Sequence, residues 1–160
     1  MKASGMKIMN KRRISRGRVG RGFALLLACV IGFSTPAAAQ SEKPLPFKGI
    51  YENAENRVII RLNLYEPTLT APNLDFLGKM NGYMHGRGIY GIWLLTDFDI
   101  KGKTATLRFS NDSGADSQTI EFTQLNDSTF RYNAVGGNDV KKASGRKLVK
   151  IVSEMEFRKR

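Results

Sequence analysis

Strict alternation of apolar and polar side chains over residues 103–110 limits this chain more than any other feature. Ala105, Leu107 and Phe109 alternate with Thr104, Thr106, Arg108 and Ser110. A strand turns successive side chains to opposite faces, so this segment has one greasy face and one wettable face, and a 3.6-residue helical period would scatter both. The same period returns at Ile120 and Phe122 against Thr119, Glu121 and Thr123, and at Phe130, Tyr132 and Ala134 against Thr129, Arg131 and Asn133. Earlier in the chain Val58, Ile60, Leu62 and Leu64 make an apolar face opposite the mixed Ile59, Arg61, Asn63 and Tyr65. The chain is therefore expected to be mostly β.

Between these runs lie Ile100–Lys103, Asn111–Asp116, Asn126-Asp127 and Gly136–Asp139. Each holds residues that tolerate positive φ or hydrogen-bond their own backbone, which marks tight turns. Eight strands are expected: Lys48–Tyr51, Arg57–Tyr65, Gly82–His85, Ile89–Ile100, Lys103–Ser110, Gln118–Leu125, Ser128–Val135 and Lys147–Phe157. Short connections favour an antiparallel meander, and closing it into an up-and-down barrel would remove its exposed edges. An open curled sheet and a small sandwich stay as alternatives. Residues 66–82 are the long stretch without alternation. Pro67 and Pro72 bracket an expected short helix or loop insertion there, with Asn73 as N-cap of one or two helical turns. The last segment carries both a helical stripe (Leu148, Ile151, Val152, Met155) and a strand face (Val149, Ile151, Met155, Phe157). Its β-branched residues tip the reading to strand.

The first 39 residues read differently. Eight cations and no acid precede the apolar run Phe23–Phe33, and Ser34-Thr35-Pro36-Ala37-Ala38-Ala39 follows. This is the basic, apolar, small-residue order of a secretory signal peptide, with cleavage expected after Ala39. An uncleaved anchor fits poorly, because eleven apolar residues as a helix span roughly 16 Å against about 30 Å of hydrocarbon. Cys29 follows a large Leu27 and lies only six residues into the run, so a lipoprotein site fits less well than Ala39. Arg12-Arg13 lacks the rest of a twin-arginine signal, and the apolar run explains the basic block better than a nucleic-acid arm does. Met1, Met6 and Met9 are all candidate starts. The expected product is an exported protein, periplasmic or extracellular, with a polar extended leader at 40–46 and one domain over 47–160.

Removing the signal changes the charge. The chain as a whole is +12, but residues 40–160 hold 18 basic and 14 acidic groups, or +4. That is ordinary for a water-facing domain, and nucleic acid is not an expected partner. The last twenty residues carry +6 and residues 40–140 carry −2. Lys141, Lys142, Arg146, Lys147, Lys150 and Arg158 are accordingly the candidate contacts to an acidic protein or membrane surface, with a plain solvated face as the other reading. The single cysteine lies in the signal, so the mature domain must be held by its core, without a disulfide.

Chemistry-bearing patterns are few. His85 is the only histidine and no Gly-x-Ser-x-Gly elbow accompanies it, which reads as a solvated loop histidine rather than a catalytic one. With no mature cysteine, no metal site and no cofactor are expected. Gly86-Arg87-Gly88-Ile89-Tyr90-Gly91 matches Gly-x-Gly-x-x-Gly literally, but a strand follows where a dinucleotide site needs a helix. Asp97 and Asp99 share a strand face at i, i+2, a spacing more often solvated than functional.

Phe47-Lys48-Gly49-Ile50-Tyr51 resembles the aromatic-x-Gly-x-Trp start of lipocalins, with Tyr51 in place of the tryptophan. Thr96-Asp97-Phe98 is similar to the Thr-Asp-Tyr motif of that family, and Arg158 stands where a late barrel-closing arginine would. The resemblance implies a lipocalin-like, calycin-like barrel. On that expectation Tyr83, Tyr90, Trp93, Phe98, Phe109, Phe122 and Tyr132 are candidate lining for a small apolar ligand, with a filled ring core as the plainer reading. The expected function is a non-enzymatic exported binding barrel, or alternatively a cell-envelope interaction or inhibitor module using its basic C-terminal segment.

Overall fold

The structure, a computed structural model, describes residues 45–160. The expected signal peptide, its cleavage point after Ala39 and residues 40–44 of the leader lie outside the described residues. Eight strands close into an antiparallel barrel: β1 (Lys48–Asn53), β2 (Val58–Asn63), β3 (Gly82–His85), β4 (Trp93–Lys101), β5 (Thr104–Asn111), β6 (Ser117–Gln124), β7 (Thr129–Gly137) and β10 (Glu154–Lys159). Each pairs with the barrel strand before it, and β10 pairs with β1 to shut the ring. Two further strands, β8 (Lys141–Ser144) and β9 (Lys147–Lys150), form a separate ribbon inserted between β7 and β10.

The alternation seen in the sequence sets which way each side chain points. Ala105, Leu107 and Phe109 of β5, Ile120 and Phe122 of β6, and Phe130 and Tyr132 of β7 are fully buried. Thr106, Arg108, Thr119, Glu121 and Arg131 face outward, while Gln118 of β6 is polar and buried. A lipid-spanning barrel has the reverse arrangement. Two irregularities interrupt the alternation. A register shift between Leu95 and Asp97 lets Leu95 and Phe98 both turn inward although they lie three residues apart. A second shift, between Thr119 and Ile120, brings Ile120 opposite Ala134 and Thr119 opposite Gly136.

Both ends of the barrel are stoppered. Ile89, Val140 and Ile151 come from loops and join the core at the end that carries the β1–β2 and β3–β4 connections. Phe47 and Leu64 join it at the other end, linked by the Leu64 N–H donating to the Phe47 carbonyl at 3.2 Å.

Three expectations about segment limits need correcting. Ile89–Ile92 is a turn rather than the start of a strand: Gly91 has φ 75°, and Ile89 is spent as a plug. The segment Lys147–Phe157 is two strands, because Ile151 leaves β9 to enter the core before β10 begins. Within 66–82 the helical content is one 3-10 turn, Asp75–Leu77, and Asn73 does not cap it. Asn73 takes φ 60°, the Leu74 that precedes the turn makes no side-chain cap, and Leu69 bridges to Met80 across the loop.

Candidate functional site

The interior positions hold rings packed on rings. Phe122 stacks on Phe130 with centroids 5.2 Å apart and meets Tyr51 edge-on at 5.1 Å and Phe157 at 5.8 Å. Tyr51 also meets Phe130 edge-on at 4.7 Å. Such edge-to-face contacts suit the ring quadrupoles and fill volume. Two phenols enter this apolar interior, and each finds an acceptor: the Tyr132 hydroxyl donates to Gln118 Oε1, and the Tyr51 hydroxyl donates to the Pro46 carbonyl. Burial pushes both phenols well above their ordinary ionisation range, helped by the charge of Tyr65 on Tyr51 and of Asp139 on Tyr132.

The seven candidate lining residues do not share one surface. Phe109, Phe122, Tyr132 and Trp93 are in the core, and Phe98 packs against it half-buried. Tyr90 is 63 % exposed on the β3–β4 loop, where its N–H donates to the Lys141 carbonyl at 2.7 Å and its own carbonyl accepts from the Trp93 indole at 3.2 Å. Tyr83 is buried but sits outside the core cluster, since pleating points it away from its inward neighbour Met84. Its ring lies 5.4 Å from that of His85.

His85 ends β3 half-buried, rather than lying in a solvated loop. Its Nε2 is enclosed and finds no hydrogen-bond partner among the described residues, as does Nε of Arg61. Burial and then the Arg61 charge hold its pKa below the usual histidine range, so the ring is neutral at pH 7. The register Tyr83↔Leu94 places Asp97 on the order of 15 Å along the sheet from His85. Asp97 accepts the Phe98 N–H at 2.9 Å, and Asp99 pairs with Lys101 at 3.0 Å on an exposed face. The histidine and the two carboxylates thus form no acid–base constellation. Among the described residues, no three His, Cys, Asp or Glu side chains converge.

The basic C-terminal segment is divided by the fold. Pairing of Lys141 with Lys150 and of Ala143 with Leu148 places those four on one face of the ribbon. Lys142, Val149, Ser144 and Lys147 occupy the other, and Arg146 sits in the turn, which Gly145 opens at φ 59°. Every residue of the two strands is exposed. Lys150 bridges to Asp139 at 2.8 Å, and among the described residues the other four ribbon cations make no salt bridge. Val140 and Ile151, in the core, root the ribbon through the Ile151 N–H donating to the Val140 carbonyl at 3.0 Å. Arg158 lies instead on the outer wall of β10. The cation that meets Tyr51 is its neighbour Lys159, whose Nζ stands 5.9 Å from the ring centroid and donates to the carbonyls of Leu45 and Pro46. Pleating explains the exchange: Met155, Phe157 and Lys159 share the inner side and Arg158 does not.

The Gly-rich match Gly86–Gly91 has a structural reason. A Cβ on Gly86 would lie 2.3 Å from the Arg57 carbonyl oxygen, and one on Gly88 only 1.5 Å from that of Asn56. The glycines let the β3–β4 loop lie directly on the backbone of the β1–β2 turn, and the Gly88 N–H donates to the Arg57 carbonyl at 3.1 Å. An open cleft of about 670 Å³ runs along this junction. Sequence reading gave no signal for it, nor for Gln118 as the inward polar partner of Tyr132. No protein-family model, no curated protein and no solved structure matches this chain.

Proposed function

We propose that this chain is an exported, lipocalin-like, non-enzymatic barrel that acts as an interaction module at the cell envelope, engaging an acidic protein through the β8–β9 ribbon. The observation that carries the reading is the ribbon itself. Five cations lie within ten residues, Lys141–Lys150, with no acid among them, on strands exposed along their whole length. A ribbon of like charges spends stability on self-repulsion, and an opposing acidic surface relieves it. The ring-filled interior favours work done from the surface. The order of the eight barrel strands and the Tyr51–Lys159 contact near the closing seam support the lipocalin likeness. The separation of His85 from Asp97 and Asp99 supports a non-enzymatic role.

Retention on immobilised polyglutamate tests the reading. Binding at ~0.05 M salt should fall by about tenfold or more at ~0.5 M, because exposed charges are screened over a few ångströms there. Lys142→Gln/Lys147→Gln should weaken the low-salt binding. Equal retention at both salts, or no effect of the substitutions, refutes the reading. Binding to anionic vesicles without binding to polyglutamate would replace the acidic protein with a membrane surface.

A further inference from the structure

We propose that the cleft between the β1–β2 turn and the β3–β4 loop binds a small amphipathic anion, an alkyl carboxylate whose tail lies on Ile59 and Ile92 and whose head is held by Arg57 and Arg87. The cleft has a volume of about 670 Å³, within the usual range for small-molecule sites. Its apolar surface comes from Ile59, Ile89 and Ile92, and Arg57 and Arg87 stand exposed at its margin. Neither guanidinium makes a salt bridge among the described residues. A free guanidinium offers a planar fork of donors that matches a carboxylate, and two of them beside an apolar strip select a charged head with a hydrocarbon tail.

The one acid lining the cleft does not oppose this. Glu52 is ion-paired with Arg160, which neutralises it. His85, neutral at pH 7, adds no charge of its own. The walls are also fixed in advance. Arg57 is held at φ 53°, the Gly86–Gly88 backbone rests against residues 56 and 57, and Ile89 is anchored in the barrel core. Preorganised walls lower the ordering cost of binding. The cleft shares no lining residue with the ribbon, so this site stands or falls separately from the interaction surface proposed above.

The test is an amide-resolved NMR titration of the protein as its full-length gene yields it. Sodium decanoate, held below its micellar range, is the probe, with decyltrimethylammonium and inorganic phosphate as controls. Decanoate should give saturable shifts confined to residues 54–59 and 86–92. The cationic amphiphile and phosphate should each bind at least ~10-fold more weakly, since each lacks half of the recognised chemistry. Arg57→Gln/Arg87→Gln should weaken decanoate binding by ~10-fold or more, while Lys142→Gln/Lys147→Gln leaves it unchanged. Non-saturable shifts, shifts centred elsewhere, or equal binding of decanoate and the cationic amphiphile by the unsubstituted protein would overturn the proposal. So would a folded arginine variant that binds decanoate within twofold of the parent.

Discussion

Truncating Phe122 to alanine asks directly whether the barrel interior is a solid core or a vessel. Phe122 is fully buried and touches three rings: Tyr51, Phe130 and Phe157. Phe→Ala in a packed core costs about 3–5 kcal/mol, the larger values arising where neighbours cannot collapse into the hole. Here β6 is hydrogen-bonded on both sides, to β5 and to β7, which holds the wall in place. A loss of about 4 kcal/mol is therefore expected, against a typical total of ~5–15 kcal/mol. At roughly 3–5 °C per kcal/mol for a domain of this size, the melting temperature should drop by ~12–20 °C. Urea denaturation and thermal melts measure both quantities. Phe76→Ala, at a site 81 % exposed, is the control and should change stability by no more than about 0.5 kcal/mol. The dry apolar hole left in Phe122→Ala should also take benzene, which would raise the melting temperature of the variant but not of the parent. A loss below ~1.5 kcal/mol for Phe122→Ala refutes the packing argument, because a ring beside an already empty cavity leaves no new void when removed.

Two further outcomes follow from the buried phenols. Tyr132→Phe strands the acceptor of Gln118 in the core and should cost ~1–3 kcal/mol in urea denaturation, while Tyr132→Phe/Gln118→Leu should recover part of that loss by removing both polar partners. Tyr51 and Tyr132 have folded-state pKa values raised above the unfolded value of about 10, so their contribution to stability is complete below that pH and is lost as pH climbs beyond it. Ultraviolet titration should show two of the five tyrosines ionising only together with loss of near-ultraviolet circular dichroism, and independent early titration of all five would contradict this.

Legibility followed the strength of local pattern. Strands β5, β6 and β7 could be read closely because Ala105, Leu107 and Phe109, then Ile120 and Phe122, then Phe130 and Tyr132 alternate with polar residues, and Gly- or Asn-bearing turns lie at the strand ends. The ribbon was not legible as a ribbon: Lys147–Lys150 was read only as the start of one long last strand, and Lys141–Ser144 was not read as a strand at all. Neither segment has a buried face, so no period-2 contrast separates the two arms or marks the turn between them. Ile89 and Ile151 misled in a third way. Each continues an apolar run in the sequence, yet each is used as a plug from a loop, and a one-dimensional pattern does not distinguish a strand residue from a loop residue turned inward. The ring residues were legible as apolar but not as a site, since seven aromatic positions can line a cavity or fill it.

The amino-acid sequence by itself determined that the chain is antiparallel β, which residues of the central strands face inward, and where most of the turns fall, because alternation and turn chemistry act between near neighbours. Tertiary structure alone decided that the interior is stoppered by Ile89, Val140 and Ile151, that Lys159 rather than Arg158 meets Tyr51, and that Arg57 and Arg87 flank one cleft. Those outcomes depend on strand register and on loops brought together from distant parts of the chain, and a backbone contact such as that between Gly88 and Asn56 leaves no periodic trace in the order of the residues.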